Sequence, residues 1–99
     1  MPTNTFKNTF ERNDLIVRIE TVRQTPNLIE EKGFTLEQFD KQSDKLLRAY
    51  DTSEIIIQKW LKKDRAKGIP YLKPIMDSRE KAKRELKQFL NQFILFIED

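Results

Sequence analysis

A helix start signal followed by a heptad-like apolar repeat constrains the fold of this chain more than any other feature of its sequence. Thr35 and Gln38 have the spacing of a capping box, and Phe34 and Phe39 occupy the two positions of a hydrophobic staple around it. Apolar or small residues then recur at alternating steps of three and four: Leu36, Phe39, Ser43, Leu46, Tyr50, Ser53, Ile57 and Trp60. Such a repeat predicts a long helix that packs against another helix.

The middle and the end of this helix need separate treatment. Asp51 and Glu54 also have capping-box spacing, so one interpretation is that the helix restarts after Tyr50. We favour one long helix, with room for a kink at that point, which ends at Gly68. Residues 69–74 contain two prolines and are predicted to form an extended link, because each proline biases its predecessor away from the helix.

Two further helices are predicted on either side of the long one. The first has Thr9 or Asn13 as its N-cap and stops near Thr25, before Pro26, and it carries the apolar residues Phe10, Leu15, Ile16, Ile19 and Val22. The last begins at the Asp77 capping box with Glu80. Its apolar stripe consists of Ala82, Leu86, Phe89, Leu90, Phe93, Ile94 and Ile97.

Short segments complete the predicted fold. Residues 27–32 are expected to form a turn that Asn27 caps and Gly33 closes. Residues 1–9 are expected to form a loosely ordered N-terminal arm. The chain is therefore predicted to be all-α, a small antiparallel three- to four-helix bundle with one long central helix, in a single domain over residues 1–99.

Composition narrows both the fold and the chemistry. With only two Gly and four Pro, the chain has too few tight turns for an all-β sandwich or barrel. The absence of Cys and His removes disulfides, thiolate chemistry, most zinc sites and the commonest general base. We therefore expect no enzymatic activity and no cofactor. The most apolar stretch, residues 89–97, is too short to span a membrane, and no signal peptide is evident, so we expect a cytoplasmic protein with no membrane contact.

Basic side chains concentrate in the second half of the chain. Residues 58–88 contain eleven Lys or Arg and four Asp or Glu, whereas residues 1–57 are net acidic. Clustered like charges repel each other unless a partner neutralises them, although a solvated helix face is the simpler alternative. The predicted partner-binding basic surface consists of Lys59, Lys62, Lys63, Arg65, Lys67, Lys73, Lys81, Lys83, Arg84 and Lys87.

Some apolar residues lie off the predicted core stripes. Either the segment around residues 71–72 or the N-terminal arm folds over them, or they meet a partner or a second copy of the chain. The predicted apolar partner or dimer contacts are Ile55, Trp60, Tyr71, Leu95 and Phe96.

These patterns favour a small non-enzymatic interaction module, a regulator or adaptor, that presents a basic helical surface to an acidic protein partner and is able to form a homodimer. The alternative is an RNA- or DNA-binding protein that uses the same cations. A helix-turn-helix is a poor match, because the helix after Gly33 carries Glu37, Asp40 and Asp44, which phosphate would repel.

Overall fold

The computed structural model describes residues 6–63 and 65–96 of the chain, with the side chains of residues 10–62 and 72–96. Within these ranges there are four helices and no strand: α1 (Phe6–Arg23), α2 (Pro26–Glu31), α3 (Leu36–Lys63) and α4 (Arg65–Asn91). The prediction of an all-α fold with one long helix is confirmed.

The helices α3 and α4 run in opposite directions and pack against each other. Phe39, near the start of α3, stacks on Phe89, near the end of α4, with ring centroids 5.6 Å apart. Glu54, farther along α3, binds Arg79, which lies earlier in α4, at 2.7 Å. Because residue numbers rise on α3 as those of their partners fall on α4, the two helices are antiparallel.

This helix pair gives the molecule an elongated shape. The molecule measures 49 × 26 × 24 Å and has a radius of gyration of 15.5 Å, against about 13 Å for a compact domain of about 100 residues. At about 1.5 Å per residue, the 28 residues of α3 alone extend about 42 Å. The length of α3 therefore sets the long dimension.

Helix α1 packs against both long helices and is antiparallel to α3. Arg12 binds Asp51 at 2.8 Å, and Arg23 binds Asp40 at the same distance. The core side of α1 inserts apolar residues, of which Leu15 and Val22 are fully buried. One helix thus contributes both apolar contacts and ion pairs to α3.

The predicted start of α3 is confirmed in its hydrogen bonds. The Thr35 N–H donates to Gln38 Oε1 at 2.9 Å, and the Gln38 N–H donates to Thr35 Oγ1 at 3.1 Å. The rings of Phe34 and Phe39, the two staple residues, both pack on Phe89 of α4. The start of α3 is therefore attached to the end of α4 by aromatic contacts, each worth about 0.5–1.5 kcal/mol beyond the area it buries.

The apolar repeat of α3 is confirmed over its central six members, which are Phe39, Ser43, Leu46, Tyr50, Ser53 and Ile57, all buried. Its two end members, Leu36 and Trp60, are exposed. The helix continues through Asp51, so the hypothesis of a restart there is wrong.

The turn before α3 is also close to its prediction. It is the short helix α2, followed by Gly33 at φ 84°, a left-handed conformation that glycine adopts without strain. The N-cap position is Thr25, however, and not Asn27. Pro26 is the first residue of α2, where its fixed φ and missing N–H fit a helix start.

The predicted extended link over residues 69–74 is wrong. Helix α3 ends at Lys63 instead of Gly68, and Gly68, both prolines and the Asp77 capping box all lie inside α4. A proline inside a helix removes one hydrogen bond and costs about 3 kcal/mol, so a tertiary contribution must offset this cost.

The buried stripe of α4 supplies that contribution, because it begins much earlier than Ala82. It follows steps of three and four through Leu72, Ile75, Arg79, Ala82, Leu86 and Phe89, of which Ile75 and Arg79 are partly buried and the others buried, with Leu72 only 3% exposed. The charged Arg79 interrupts the apolar pattern in the sequence, but in the structure Glu54 neutralises it.

Both chain ends also differ from their predictions. Helix α1 begins at Phe6 and not after Thr9 or Asn13, so residues 6–9 of the predicted arm are helical, while residues 1–5 lie outside the described part. Helix α4 ends at Asn91, and Phe93 and Ile94 reach the core from a turn that follows it. Ile97 lies outside the described residues.

Replacement of Pro74 by Ala tests the helical course of this segment. Pro74 is exposed and lies inside α4, so P74A restores a backbone hydrogen bond and is expected to raise the free energy of unfolding by about 1–3 kcal/mol in urea titrations followed by circular dichroism. The matched control is P26A at the first residue of α2, where proline fits and no gain is expected. An unchanged or lowered stability of P74A would indicate that residues 69–74 are extended.

Candidate interaction surface

Cations in the acidic part of the chain are mostly paired within the molecule. In the described residues of α1 and α3, five of them lie within 3.4 Å of a carboxylate oxygen, in the pairs Arg12–Asp51, Arg18–Asp14, Arg23–Asp40, Lys41–Glu37 and Arg48–Asp44. Among the described cations of these two helices before residue 58, only Lys45 has no ion pair to a described carboxylate.

A second group of ion pairs joins α1, α3 and α4 at half-buried positions. Glu11 of α1 accepts hydrogen bonds from the Tyr50 hydroxyl at 2.6 Å and from Lys83 Nζ at 2.9 Å. Burial opposes ionisation of Glu11, but the two hydrogen bonds and the charges of Lys83 and Arg79 outweigh it and lower the pKa of Glu11. Burial and the adjacent Glu11 carboxylate raise the pKa of Tyr50 far above its usual value, so its hydroxyl stays protonated.

Glu54 and Arg79 form the most enclosed of these pairs. Their side chains are 16% and 13% exposed, and Arg79 also approaches Glu80 at 3.7 Å. Burial disfavours the Arg79 cation, but the hydrogen bond and the charge of Glu54 outweigh it and raise the pKa of Arg79. Loss of one partner of such a pair leaves an uncompensated charge away from water.

One residue of the predicted basic surface belongs to this internal network. Lys83 Nζ lies 2.9 Å from Glu11 and 2.9 Å from Glu80, and its side chain is 20% exposed. Unlike the exposed cations of the predicted surface, Lys83 already has carboxylate partners within the molecule. Lys87 is partly buried and also interacts within the molecule.

Five other predicted cations are exposed and form no ion pair with any described carboxylate. They are Lys59 and Lys62 on the last turns of α3 and Lys73, Lys81 and Arg84 on α4. Asp77 lies between Lys73 and Lys81 on the same outer side of α4, so the positive charge there is interrupted. The side chains of Lys63, Arg65 and Lys67 lie outside the described ones.

The predicted apolar contacts also fall into two groups, those that are exposed and one that packs against the core of its own chain. Leu95 is 82% exposed and Ile55 is 58% exposed, as expected for residues off the core stripes, and Trp60 is also exposed. Phe96 differs, because it is partly buried, packs against the core and lies under the Arg18 guanidinium at 5.2 Å. It is therefore covered by its own chain. The side chain of Tyr71 lies outside the described ones.

Helix α1 carries an exposed apolar pair that the sequence interpretation missed. Phe10, which belongs to the predicted apolar stripe of the first helix, is 81% exposed, and Val17, seven residues further along, is 61% exposed. For Val17, the sequence signal of exposure is the run from Leu15 to Val17, because three consecutive apolar residues cannot all face one side of a helix.

Besides a hollow of about 430 Å³ between α3 and α4, which Lys45 and Glu85 help to line, two hollows occur beside charged residues of the described part. One, of about 440 Å³, lies between α1 and α3, where Arg23 and Asp40 on its wall bind each other. The other, of about 270 Å³, lies along α3, and its described lining residues are Glu54, Ile55, Gln58, Lys59 and Lys62. Here the two lysines have no described carboxylate partner. The second hollow therefore combines an apolar wall with unneutralised cations.

Comparison with protein-family models, with curated proteins and with solved structures finds no match to this chain. Among the described helices, none is both long enough and apolar enough to cross a membrane.

Replacement of Glu11 by Gln tests the half-buried network. The E11Q variant keeps the shape but removes the charge, so we expect a loss of about 1–3 kcal/mol in the free energy of unfolding at pH 7. Because the folded pKa of Glu11 is lowered, its stabilising contribution is present above the unfolded value near 4.5 and disappears as the pH falls through the folded value. The difference between wild type and E11Q is therefore expected to shrink between pH 6 and pH 3.

The control is E37Q in the exposed pair with Lys41, which is expected to change stability by less than about 0.5 kcal/mol. A pH-independent effect of E11Q would mean that packing, and not the ionised carboxylate, explains the loss.

The pair of Glu54 and Arg79 gives a further prediction. R79M alone leaves Glu54 as an isolated, mostly buried carboxylate and is expected to cost about 3 kcal/mol in urea denaturation. The double variant E54L/R79M removes both charges and is expected to recover most of that loss. Equal losses in the single and double variants would contradict an electrostatic origin.

Proposed function

We propose that this chain is a small antiparallel helical bundle that acts as a non-enzymatic protein–protein interaction module, a regulator or adaptor, in the cytoplasm. Its partner is an acidic protein. The observation that carries the proposal is that Lys59, Lys62, Lys73, Lys81 and Arg84 are exposed and without an ion pair to any described carboxylate. Among the described side chains of residues 10–57, by contrast, five of the seven cations are paired, and the exceptions are Lys32 and Lys45.

Charge complementarity supplies the physical reason. A carboxylate that approaches an unpaired lysine gains attraction without first breaking an internal ion pair, whereas a carboxylate near Arg12 must compete with Asp51. Association with an acidic partner would therefore be steered toward the end of α3 and the outer side of α4, and would weaken as salt increases.

The pattern of charge supports a protein partner more than a nucleic acid. Asp77 and Glu85 are exposed on α4 in the same region as Lys73, Lys81 and Arg84. A phosphate backbone presents a continuous row of negative charge, which both carboxylates would repel. A folded acidic protein presents separate carboxylates that can pair with individual lysines. Binding to RNA or DNA through the same cations is the alternative.

Exposed apolar residues supply a surface that a second copy of the chain can contact. Ile55 and Leu95 are the predicted contacts that stay exposed, and Phe10 and Val17 add apolar surface on α1. A homodimer is therefore one form in which the module could act. Size-exclusion chromatography with light scattering measures this directly, and a monomer at high concentration removes the self-association part of the proposal.

The test compares two charge-reversal variants that lower the net charge equally. K62E/R84E changes one exposed cation on each long helix, whereas K32E/K45E changes two exposed cations outside the predicted basic surface. In affinity purification from the native host, K62E/R84E is expected to lose an acidic protein that wild type and K32E/K45E retain, by at least about tenfold. Circular dichroism establishes that both variants are folded.

Two results would contradict the proposal. Equal retention of the partner by both variants would mean that the basic surface does not bind it. Retardation of a generic oligonucleotide at low salt, with a log-linear loss as salt increases and a loss in K62E/R84E, would support the nucleic-acid alternative instead.

A further inference from the structure

The hollow along α3 combines a concave shape with positive charge. We call it the α3 pocket, defined by Glu54, Ile55, Gln58, Lys59 and Lys62. Its volume of about 270 Å³ lies just below the range of about 300–1,000 Å³ that is usual for small-molecule sites. A pocket of this size fits one large apolar side chain better than it fits a cofactor.

Among the described side chains, those that line this pocket all belong to α3, and helix lengths give part of the reason. Arg12 of α1 binds Asp51, and Ile55 lies one helical turn beyond Asp51 on the same side of α3. From Arg12 to its first residue, Phe6, α1 extends about 9 Å, whereas α3 extends about 18 Å from Asp51 to Lys63. The part of α3 that carries Gln58, Lys59 and Lys62 therefore projects beyond the start of α1, whereas Ile55 lies about 6 Å past Asp51, within the length of α1.

The chemistry of the pocket has two parts. Ile55 is 58% exposed, and the methylene stems of Lys59 and Lys62 lie along the same wall, so the surface that lines the pocket is mainly carbon. The ammonium groups of both lysines have no described carboxylate partner, while Glu54 is held by Arg79 and does not neutralise them. The wall attracts an apolar group, and its rim attracts negative charge.

We propose that the α3 pocket is the anchor site for the acidic partner. It accepts one large apolar side chain from a segment of the partner, and carboxylates that flank this side chain bind Lys59 and Lys62. This inference rests on the proposed function and makes it specific, because the partner is then recognised by an apolar residue within an acidic sequence and not by net charge alone.

The shape and charge favour this occupant over two others. A lipid bilayer binds a continuous convex apolar face, and the α3 pocket is concave with a single fully aliphatic residue, Ile55, among its described lining residues. A second copy of this chain that met the first symmetrically through the α3 pocket would place its own Lys59 and Lys62 beside these lysines, which disfavours a homodimer at this pocket but not at Leu95 or on α1.

The test uses two synthetic probes that differ in one side chain. Both are short fluorescein-labelled peptides of glutamates, one with a single central leucine and one with alanine in its place. Fluorescence anisotropy at low salt is expected to show about tenfold tighter binding of the leucine peptide to the full chain. Ile55→Ser is expected to remove this preference, and because Ile55 is exposed, the variant is expected to fold normally.

Matched pairs of lysine and arginine variants separate the pocket from the general charge. K59Q/K62Q is expected to weaken the leucine peptide about tenfold, whereas K81Q/R84Q, which removes the same charge from exposed positions on α4, is expected to weaken it less than about threefold. In nuclear magnetic resonance spectra, the leucine peptide is expected to shift the signals of Ile55, Gln58 and Lys62.

The outcomes distinguish failure of the anchor site from failure of the acidic-partner function. Equal binding of the leucine and alanine peptides, with equal losses in both double variants, overturns the anchor site but leaves the acidic-partner function standing. No binding of either peptide, together with retention of the host partner by K62E/R84E, overturns both. Tight binding to phosphatidylserine vesicles that depends on Lys59 and Lys62 and exceeds binding of the leucine peptide also overturns the anchor site.

Discussion

The antiparallel contact between α3 and α4 is the interaction on which the rest of this structure depends. At one end it consists of aromatic rings, where Phe39 stacks on Phe89 and meets Phe93 edge-on. Farther along it includes the ion pair of Glu54 with Arg79. The length and direction of this contact determine where α1 can lie, because α1 packs against both long helices.

The same contact explains how the charges are distributed. Where α1 covers the long helices, cations and carboxylates from different elements meet, as in the pair of Arg12 with Asp51 and the contact of Lys83 with Glu11. Where α3 projects beyond α1, no described carboxylate of α1 pairs with Lys59 or Lys62. For these two lysines, the exposed positive charge is therefore a consequence of unequal helix lengths as much as of composition.

Helix starts and buried stripes were predictable where local chemistry and periodicity agree. The capping box of Thr35 with Gln38 and the buried positions of α3 follow from their spacing, because both depend on neighbours within the same helix. The early part of α4 was not predictable from the same rules. Local rules assign residues 69–74 to an extended link because of their prolines, whereas burial of Leu72 and the pairing of Arg79 favour a helix.

The candidate site likewise has features that the sequence determined and features that only the tertiary structure decided. The sequence by itself determined an all-helical chain, the long amphipathic helix and the concentration of basic residues after position 57, because these depend on residue type and spacing. Only the tertiary structure decided that Lys83 forms ion pairs with Glu11 and Glu80, that Phe96 packs against the core, and that the face of α3 with Ile55, Lys59 and Lys62 stays exposed. The physical reason is that an ion pair or a cavity depends on which residues distant in sequence become neighbours, and spacing along one helix carries no information about the helix opposite.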